Sequence, residues 1–405
     1  MGVFQRFLAI SIVALVVFSG CSTASQPSAP ASPAKESAPA AKEAPPTKES
    51  TPVAKEASPA KQSTPAAKEA TAKPSALEPM DPPLNPPVKV RYGSLGNVGE
   101  SAVIIAREKG YFKEQGLDVE MVTFKSPVEE LPALATNRLD VGSGAITVGL
   151  YNAIDRGVQI KIVADKGIFR PGHGYTRWVV RKDLLDSGQF KGPADLKGKK
   201  VAISDKTTAT YMMLDQLLEK NGLTIKDVDV TEMGFPDMIP ALTNKAIDVA
   251  ALIEPFATTA IQKGIVGPWT TSADLFPNLE NSTLNYSPEF AKTEAAKRFM
   301  VAYLKGVRDY NNAYDNNINR KEIIDLLAKN LPPNDPALWE KMVPMGWAWN
   351  GYLNMDSVQK VRDWFYANGL ISQKTDISSY VDYSFLDYAL KKLGKYDETT
   401  GKPLN

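Results

Sequence analysis

The chain has 405 residues, 47 basic and 46 acidic, and its net charge of +1 gives no bulk field to attract nucleic acid. One cysteine and one histidine exclude an intrachain disulfide and a structural zinc site built from about four Cys and His ligands. The fold must therefore be held by an apolar core, which a domain of roughly 300 residues can readily bury.

Residues 1–21 carry Arg6 and then an apolar run over 8–18. That run is too short for a bilayer span of about 20 residues and suits a secretory signal. It ends in Phe18-Ser-Gly-Cys21, small residues directly before the cysteine, which resembles a bacterial lipobox with Phe18 where Leu is usual. The motif implies a signal peptide removed before Cys21, a lipid on Cys21, and an extracytoplasmic chain anchored to the cell membrane. The other reading is an uncleaved anchor with an incidental cysteine. Residues 22–87 repeat Pro-Ala-Lys-Glu-Ser-like units with almost no large apolar side chain. Such a composition cannot offset the entropy of ordering and predicts a disordered tether, roughly 45 Å across as a coil.

Val88-Lys-Val-Arg-Tyr92 alternates as a first strand, and 93–99 is a loop into a helix carrying Ala102-Val-Ile-Ile-Ala106. Gly110 falls where a left-handed C-cap belongs, Tyr111 and Phe112 begin a short turn closed by Gly116, and 117–124 reads as a strand. Two stretches then echo each other. Pro132-Ala-Leu precedes Leu139-Asp-Val-Gly142, and Pro240-Ala-Leu precedes Ile247-Asp-Val-Ala250, at the same spacing. Gln115-Gly-Leu-Asp-Val119 and Asn221-Gly-Leu-Thr-Ile225 form a similar pair. Two matches in one order predict a duplicated α/β lobe. After Asn281 the chain reads as helices over 290–315, 320–330, 336–342, 355–368 and 381–392, expected to pack on the first lobe. The sheets should be largely parallel, with a ligand at the carboxyl ends of the strands.

The wording Glu108-Lys-Gly-Tyr-Phe-Lys-Glu-Gln-Gly-Leu-Asp-Val119 resembles the first βαβ unit of the NMT1/THI5-like family, periplasmic solute-binding proteins for nitrate, sulfonates, taurine and thiamine precursors. The resemblance implies an α/β, two-lobed periplasmic-binding-protein fold of type II with a ligand cleft between the lobes. It covers about 88–368 and divides a solute-binding domain, 88–405, into lobe 1 (about 88–177 and 282–405) and lobe 2 (about 178–281). It further implies a monomeric binding protein, not an enzyme and without a cofactor, that delivers a small molecule to the permease and ATPase of an ABC importer. Glu129, Glu130, Lys161 and Asp165 are candidates for guiding that docking. Ligand capture would close the lobes about crossover strands near 175–180 and 281–286.

For catalysis the sequence offers little. It has no Gly-x-Ser-x-Gly, P-loop or Gly-x-Gly-x-x-Gly, and its single histidine, His173, sits in a Pro/Gly loop. The family includes a eukaryotic pyrimidine synthase, but the iron-associated cysteine cluster of that enzyme is absent here. Binding residues implied by the resemblance are Ser94 and Asn97 after the first strand, Ser126, Gly144 and Ala145 in Ser143-Gly-Ala-Ile-Thr147, Thr207 and Thr208 in Asp205-Lys-Thr-Thr-Ala209, and Glu254 and Phe256 in Glu254-Pro-Phe. Ser126 and Thr208 are equally ordinary N-cap residues, and Gly144 can serve only close packing. Tyr92, Tyr175, Trp178, Phe235, Phe256 and the cluster Trp347-Ala-Trp-Asn-Gly-Tyr352 supply rings for stacking on a flat ligand. No arginine lies in the matched loops, which favours a planar aromatic or heterocyclic nutrient, such as a pyrimidine, riboflavin or an aromatic acid. Sulfonate, taurine, nitrate or bicarbonate is the alternative, and a thiamine-pyrimidine-synthase-like enzyme a further one.

Overall fold

The computed structural model describes residues 77–124 and 127–404, with side-chain surroundings from 129 in the second stretch; all lie in the compact unit Thr71–Asn405. Cys21 and Ser126 fall outside the described residues. Ten strands are present among these: β1 (Val88–Ser94), β2 (Leu117–Thr123), β3 (Val141–Ala145), β4 (Lys161–Phe169), β5 (Thr176–Arg181), β6 (Lys200–Ile203), β7 (Asp229–Glu232), β8 (Val249–Ile253), β9 (Val266–Thr271) and β10 (Leu279–Tyr286). They form two five-stranded sheets, ordered β2-β1-β3-β10-β4 and β7-β6-β8-β5-β9.

Each sheet runs in one direction except for a single strand. β10 is antiparallel to both β3 and β4, and β5 to both β8 and β9. These are the strands by which the chain enters one sheet from the other. The carboxyl ends of both sheets face a common cleft, so a chain crossing it enters the opposite sheet from that edge and must run against its neighbours. The crossings occupy residues 170–175 and 272–278.

The two sequence echoes take equivalent places in the two sheets. Helices Pro127–Ala135 and Phe235–Thr243 each contain the echoed proline, Pro132 and Pro240. The turns that follow use a left-handed residue at the same offset, Asn137 (φ 58°) and Lys245 (φ 64°). Next come Asp140 and Asp248, and each carboxylate accepts a backbone N–H from the neighbouring strand edge. Asp140 takes Arg91 N at 2.8 Å and Asp248 takes Lys200 N at 2.9 Å. Each is also paired with an arginine, Arg91 at 2.6 Å and Arg181 at 3.1 Å. The aspartate that introduces each buried strand thus pins it to the strand beside it. Gly110 adopts the left-handed conformation expected of it, φ 81°.

The helix Glu294–Asp315 is the spine of the first lobe, with its apolar stripe packed on the helix Ser101–Glu108. Phe299 sits between Phe112, 4.8 Å away between ring centroids, and Tyr92 and Tyr286. The remaining C-terminal helices are Arg320–Asn330, Pro336–Trp339, Met355–Ala367 and Ser384–Leu393.

Residues 77–87, read from composition as the end of the tether, belong to the packed body. Glu78 N donates to Lys391 O at 2.9 Å, and Lys392 Nζ reaches Pro79 O at 3.0 Å and Asp81 at 2.7 Å. Tyr388 also donates to Asp81, and Arg298 lies 3.6 Å from it. The Lys392 and Tyr388 hydrogen bonds hold the Asp81 carboxyl down at about 2. Low hydrophobicity hid this segment because most of its attachment is polar, apart from Leu84, and the partners of Glu78, Pro79 and Asp81 lie more than 200 residues downstream.

Candidate functional site

Between the carboxyl ends of the two sheets lies a cleft of about 410 Å³, within the range of small-molecule sites. The first lobe contributes Leu95, Gly96, Asn97, Gly99, Ser143, Ala145, Ile146, Thr147 and Lys166; the second contributes Ser204, Asp205, Thr208, Thr210, Phe235, Pro236, Ile253 and Phe256. Tyr175, Thr176, Asn281 and Ser282 come from the crossing segments and strands, and Met345 from the C-terminal part.

Local chemistry shapes these walls. Asn97 accepts Gly99 N at 2.9 Å and so caps the short turn Val98–Glu100. Thr147 caps the helix Val148–Asp155 by accepting Leu150 N at 3.1 Å. In the second lobe Asp205 Oδ1 accepts both Thr207 N and Thr207 Oγ1, at 2.6 and 2.7 Å, folding the loop before the helix Ala209–Glu219. Thr147 and Thr208 form a β-bridge across the cleft, with Val148 N donating to Thr207 O at 2.9 Å. The lobes therefore touch at the rim.

Of the residues anticipated for the site, Asn97, Ala145, Tyr175, Thr208 and Phe256 line the cleft. Ser94, Gly144, Thr207 and Glu254 stand behind it. Ser94 is buried and accepts Gly96 N. Gly144 faces Asn285, whose Nδ2 would lie 2.1 Å from an added Cβ. Thr207 is engaged with Asp205 and the rim. Glu254 is fully buried, accepting from Thr258 N and Oγ1 and from Val343 N, with Arg177 at 3.4 Å. These contacts occupy its carboxylate and tie the second lobe to the first.

The aromatic wall is smaller than the sequence suggests. Phe235 and Phe256 stack 6.1 Å apart at 23° and line the cleft with Tyr175. Tyr92, Trp178, Trp347 and Trp349 are buried in the packing, Trp347 edge-on to Tyr310 and Trp349 stacked on Tyr396. Tyr352 packs on Tyr383. His173 is also away from the cleft, its Nε2 2.7 Å from Asp315 and beside Arg170. Glu130 and Asp165, considered for permease docking, are buried and face inward. Amphipathic spacing cannot distinguish such inward carboxylates from surface ones.

Lys166 and Asn281 were missed, because both are displaced from the strand alternation by irregular pairing. Beneath them lies a buried polar cluster. Glu130 enters between β1 and β3, where the two strands pair only at Tyr92 and Val141, and accepts Ser143 N. Gly93 and Gly142 make the space, since a Cβ at either would stand 2.7 or 2.8 Å from the Glu130 side chain. Burial pushes the Glu130 carboxyl up to about 7, with Glu100 adding to the rise and Ser143 N–H and Lys166 opposing it. On β4 and β10, Asp165 and Glu280 are buried against one another. Burial raises both carboxyls, and their proximity favours a shared proton.

A third contact bridges the lobes. Trp364, on the helix Met355–Ala367, donates to Asp215 Oδ2 at 2.9 Å and stands edge-on to Tyr211, 5.6 Å away. Asp215 and Tyr211 lie on the helix Ala209–Glu219, whose first turn reaches the cleft. Loss of one such hydrogen bond is worth about 1 kcal/mol. Trp364→Phe should therefore speed hydrogen exchange at Val148 N, the rim donor, about fivefold. Equal exchange in both proteins would show that Trp364 does not hold the lobes together.

A two-lobed α/β molecule with a ligand-sized cleft at the facing strand ends is the architecture of periplasmic binding proteins. The model of the NMT1/THI5 like family matches residues 97–314, more than half of the chain, and the protein belongs to that family. A Brucella abortus protein, provisionally designated a binding protein, is 27% identical over 250 residues, covering 60% of this chain and 71% of its own. The fold is also that of the periplasmic aliphatic sulphonate binding protein SsuA from Escherichia coli (TM-score 0.59, 21% identity, 74% of this chain and 99% of that one). The periplasmic nitrate-binding protein NrtA from Synechocystis PCC 6803 is similar (TM-score 0.61, 15% identity, 78% and 90%).

Proposed function

We propose that this protein captures a small, flat solute between its lobes and presents it to the permease and ATPase of an ABC importer. In this reading the body lies outside the cytoplasm, held to the cell membrane by the tether and a lipid on Cys21. The observation that carries it is the cleft itself, where Phe235, Phe256 and Tyr175 share the walls with hydroxyl and amide groups. Apolar faces with a few placed polar groups suit a ring that stacks and is held at its edge. Sulphonate and nitrate binding, named for the structural neighbours, is the second reading. Two observations weigh against it. No arginine lines the cleft among the described residues, and the one cation that does, Lys166, offers a single ammonium where a bidentate clamp would suit a sulfonate or nitrate. At the helix start by the rim, Val148 N and Leu150 N are already taken by Thr207 O and Thr147 Oγ1.

A thermal-shift screen of the full chain tests the choice. One panel holds pyrimidines, flavins and aromatic acids; the other holds alkyl sulfonates, taurine, nitrate and bicarbonate. A ligand at about 100 times its Kd adds about 2.7 kcal/mol, a shift of a few degrees. Shifts in the first panel are expected. Shifts in the second alone would replace the flat solute with an oxyanion, and silence in both would remove the proposal.

A further inference from the structure

The pairing of β4 with β10 is out of step at two places within the cleft. Ser282 pairs with Gly167 and Thr283 with Asp165, which leaves Lys166 as an extra residue on β4. Glu280 pairs with Ile168 and Ser282 with Gly167, which leaves Asn281 extra on β10. Such bulges re-aim side chains, and both residues line the cleft.

Lys166 is only 3% exposed. Its ammonium donates to Gly99 O at 2.8 Å, while Glu100 Oε1, at 3.8 Å, is an ion-pair partner beyond hydrogen-bond reach. Of its three donors, one is matched by a described residue. A buried ammonium is costly unless its remaining donors are met, and Lys166 lines the cleft, where a ligand could meet them. In the other lobe Asp205 uses Oδ1 for Thr207, and its Oδ2 takes no hydrogen bond from the described residues. Among the described residues that line the cleft, Lys166 is the single cation and Asp205 the single carboxylate.

We propose that Lys166 and Asp205 read the two ends of the ligand, Lys166 taking the carboxylate of an aromatic acid and Asp205 an O–H or N–H on the ring's opposite side. The assignment rests on the proposed capture of a flat solute and narrows it to aromatic monocarboxylates with a ring hydroxyl or amine. A single ammonium, with Glu100 Oε1 3.8 Å away, suits a group carrying one negative charge. A doubly charged phosphate would face Glu100 and Asp205 with one cation to hold it. The carboxylate of Asp205 repels an acid and attracts a donor, which sets the ligand's direction in the cleft.

Calorimetric titration of the full chain with 4-hydroxybenzoate, 4-hydroxybenzamide and benzoate tests this. At pH 7 the hydroxy acid should bind about tenfold more tightly than the amide, and Lys166→Met should erase that preference while Lys166→Arg keeps most of it. Asp205→Asn should weaken 4-hydroxybenzoate several-fold and leave benzoate unchanged. If Lys166→Met does not fold, the acid–amide ratio of the natural protein and the Asp205→Asn comparison decide alone. Equal binding of acid and amide, or no binding of either while a pyrimidine or flavin shifts the melting temperature, overturns the assignment and leaves solute capture standing. Failure of every compound in the screen and in the titration overturns both.

Discussion

Gly306→Ala is expected to destabilise the protein by about 3 kcal/mol, although alanine normally favours a helix interior over glycine by about 1 kcal/mol. Gly306 lies within the helix Glu294–Asp315, where that helix crosses Ser101–Glu108. A Cβ there would stand 2.1 Å from Ala102 O and 3.1 Å from Ala106 Cβ. The first contact is backbone, so no rotamer change relieves it, and the helices must move apart. Ala102 through Ala106 are all essentially buried, and separating the two helices opens this close-packed seam. Denaturant unfolding measures the loss, with Gly192→Ala as the control, because nothing lies within 4 Å of its added Cβ. A Gly306→Ala protein as stable as the natural one would mean that the helix Ser101–Glu108 gives way freely.

Glu130→Gln is expected to stabilise the protein at pH 8 by about 2–3 kcal/mol and to leave it nearly unchanged at pH 4.5. The folded carboxyl is raised to about 7 by burial from an ordinary value of 4.5. Below pH 4.5 it is protonated in both states and favours neither. Between pH 4.5 and 7 the unfolded chain gives up its proton while the folded chain keeps it, so stability falls as pH rises. Above 7 the loss is complete, about 3 kcal/mol from that shift. Glutamine keeps an acceptor for Ser143 N but has no proton to lose. Asp165 and Glu280, raised by burial, act in the same direction, and they cancel in the difference between variant and natural protein. Asp81 acts oppositely: its stabilisation is present above about 3.8 and is lost as pH falls through about 2. Melting temperatures from pH 4 to 8 should therefore fall in the natural protein with a steeper slope than in Glu130→Gln. Parallel slopes would show that Glu130 is ionised in the fold.

Residues whose role depends on near neighbours were legible in the sequence. Gly110 had to close a helix in the left-handed conformation, and Asp140 and Asp248 announced two equivalent buried strands. The family wording around 108–119 carried the two-lobed architecture with it. Asn97, Ala145, Tyr175, Thr208 and Phe256 reached the cleft because loops after parallel strands project from one edge of a sheet.

Direction at longer range was not legible. Trp347 and Trp349 look the same in sequence whether they face a ligand or Tyr310 and Tyr396. Glu254 matched a cleft motif, yet its carboxylate is drawn inward by Arg177, Thr258 and Val343 N. Lys166 and Asn281 turn into the cleft because two strands more than a hundred residues apart pair out of step. By itself, then, the sequence determined the strands, caps and duplicated lobes, since these follow from local periodicity and backbone preference. Which side chains meet across the cleft was decided only by the tertiary structure, because register between distant strands is set by packing that no single segment contains.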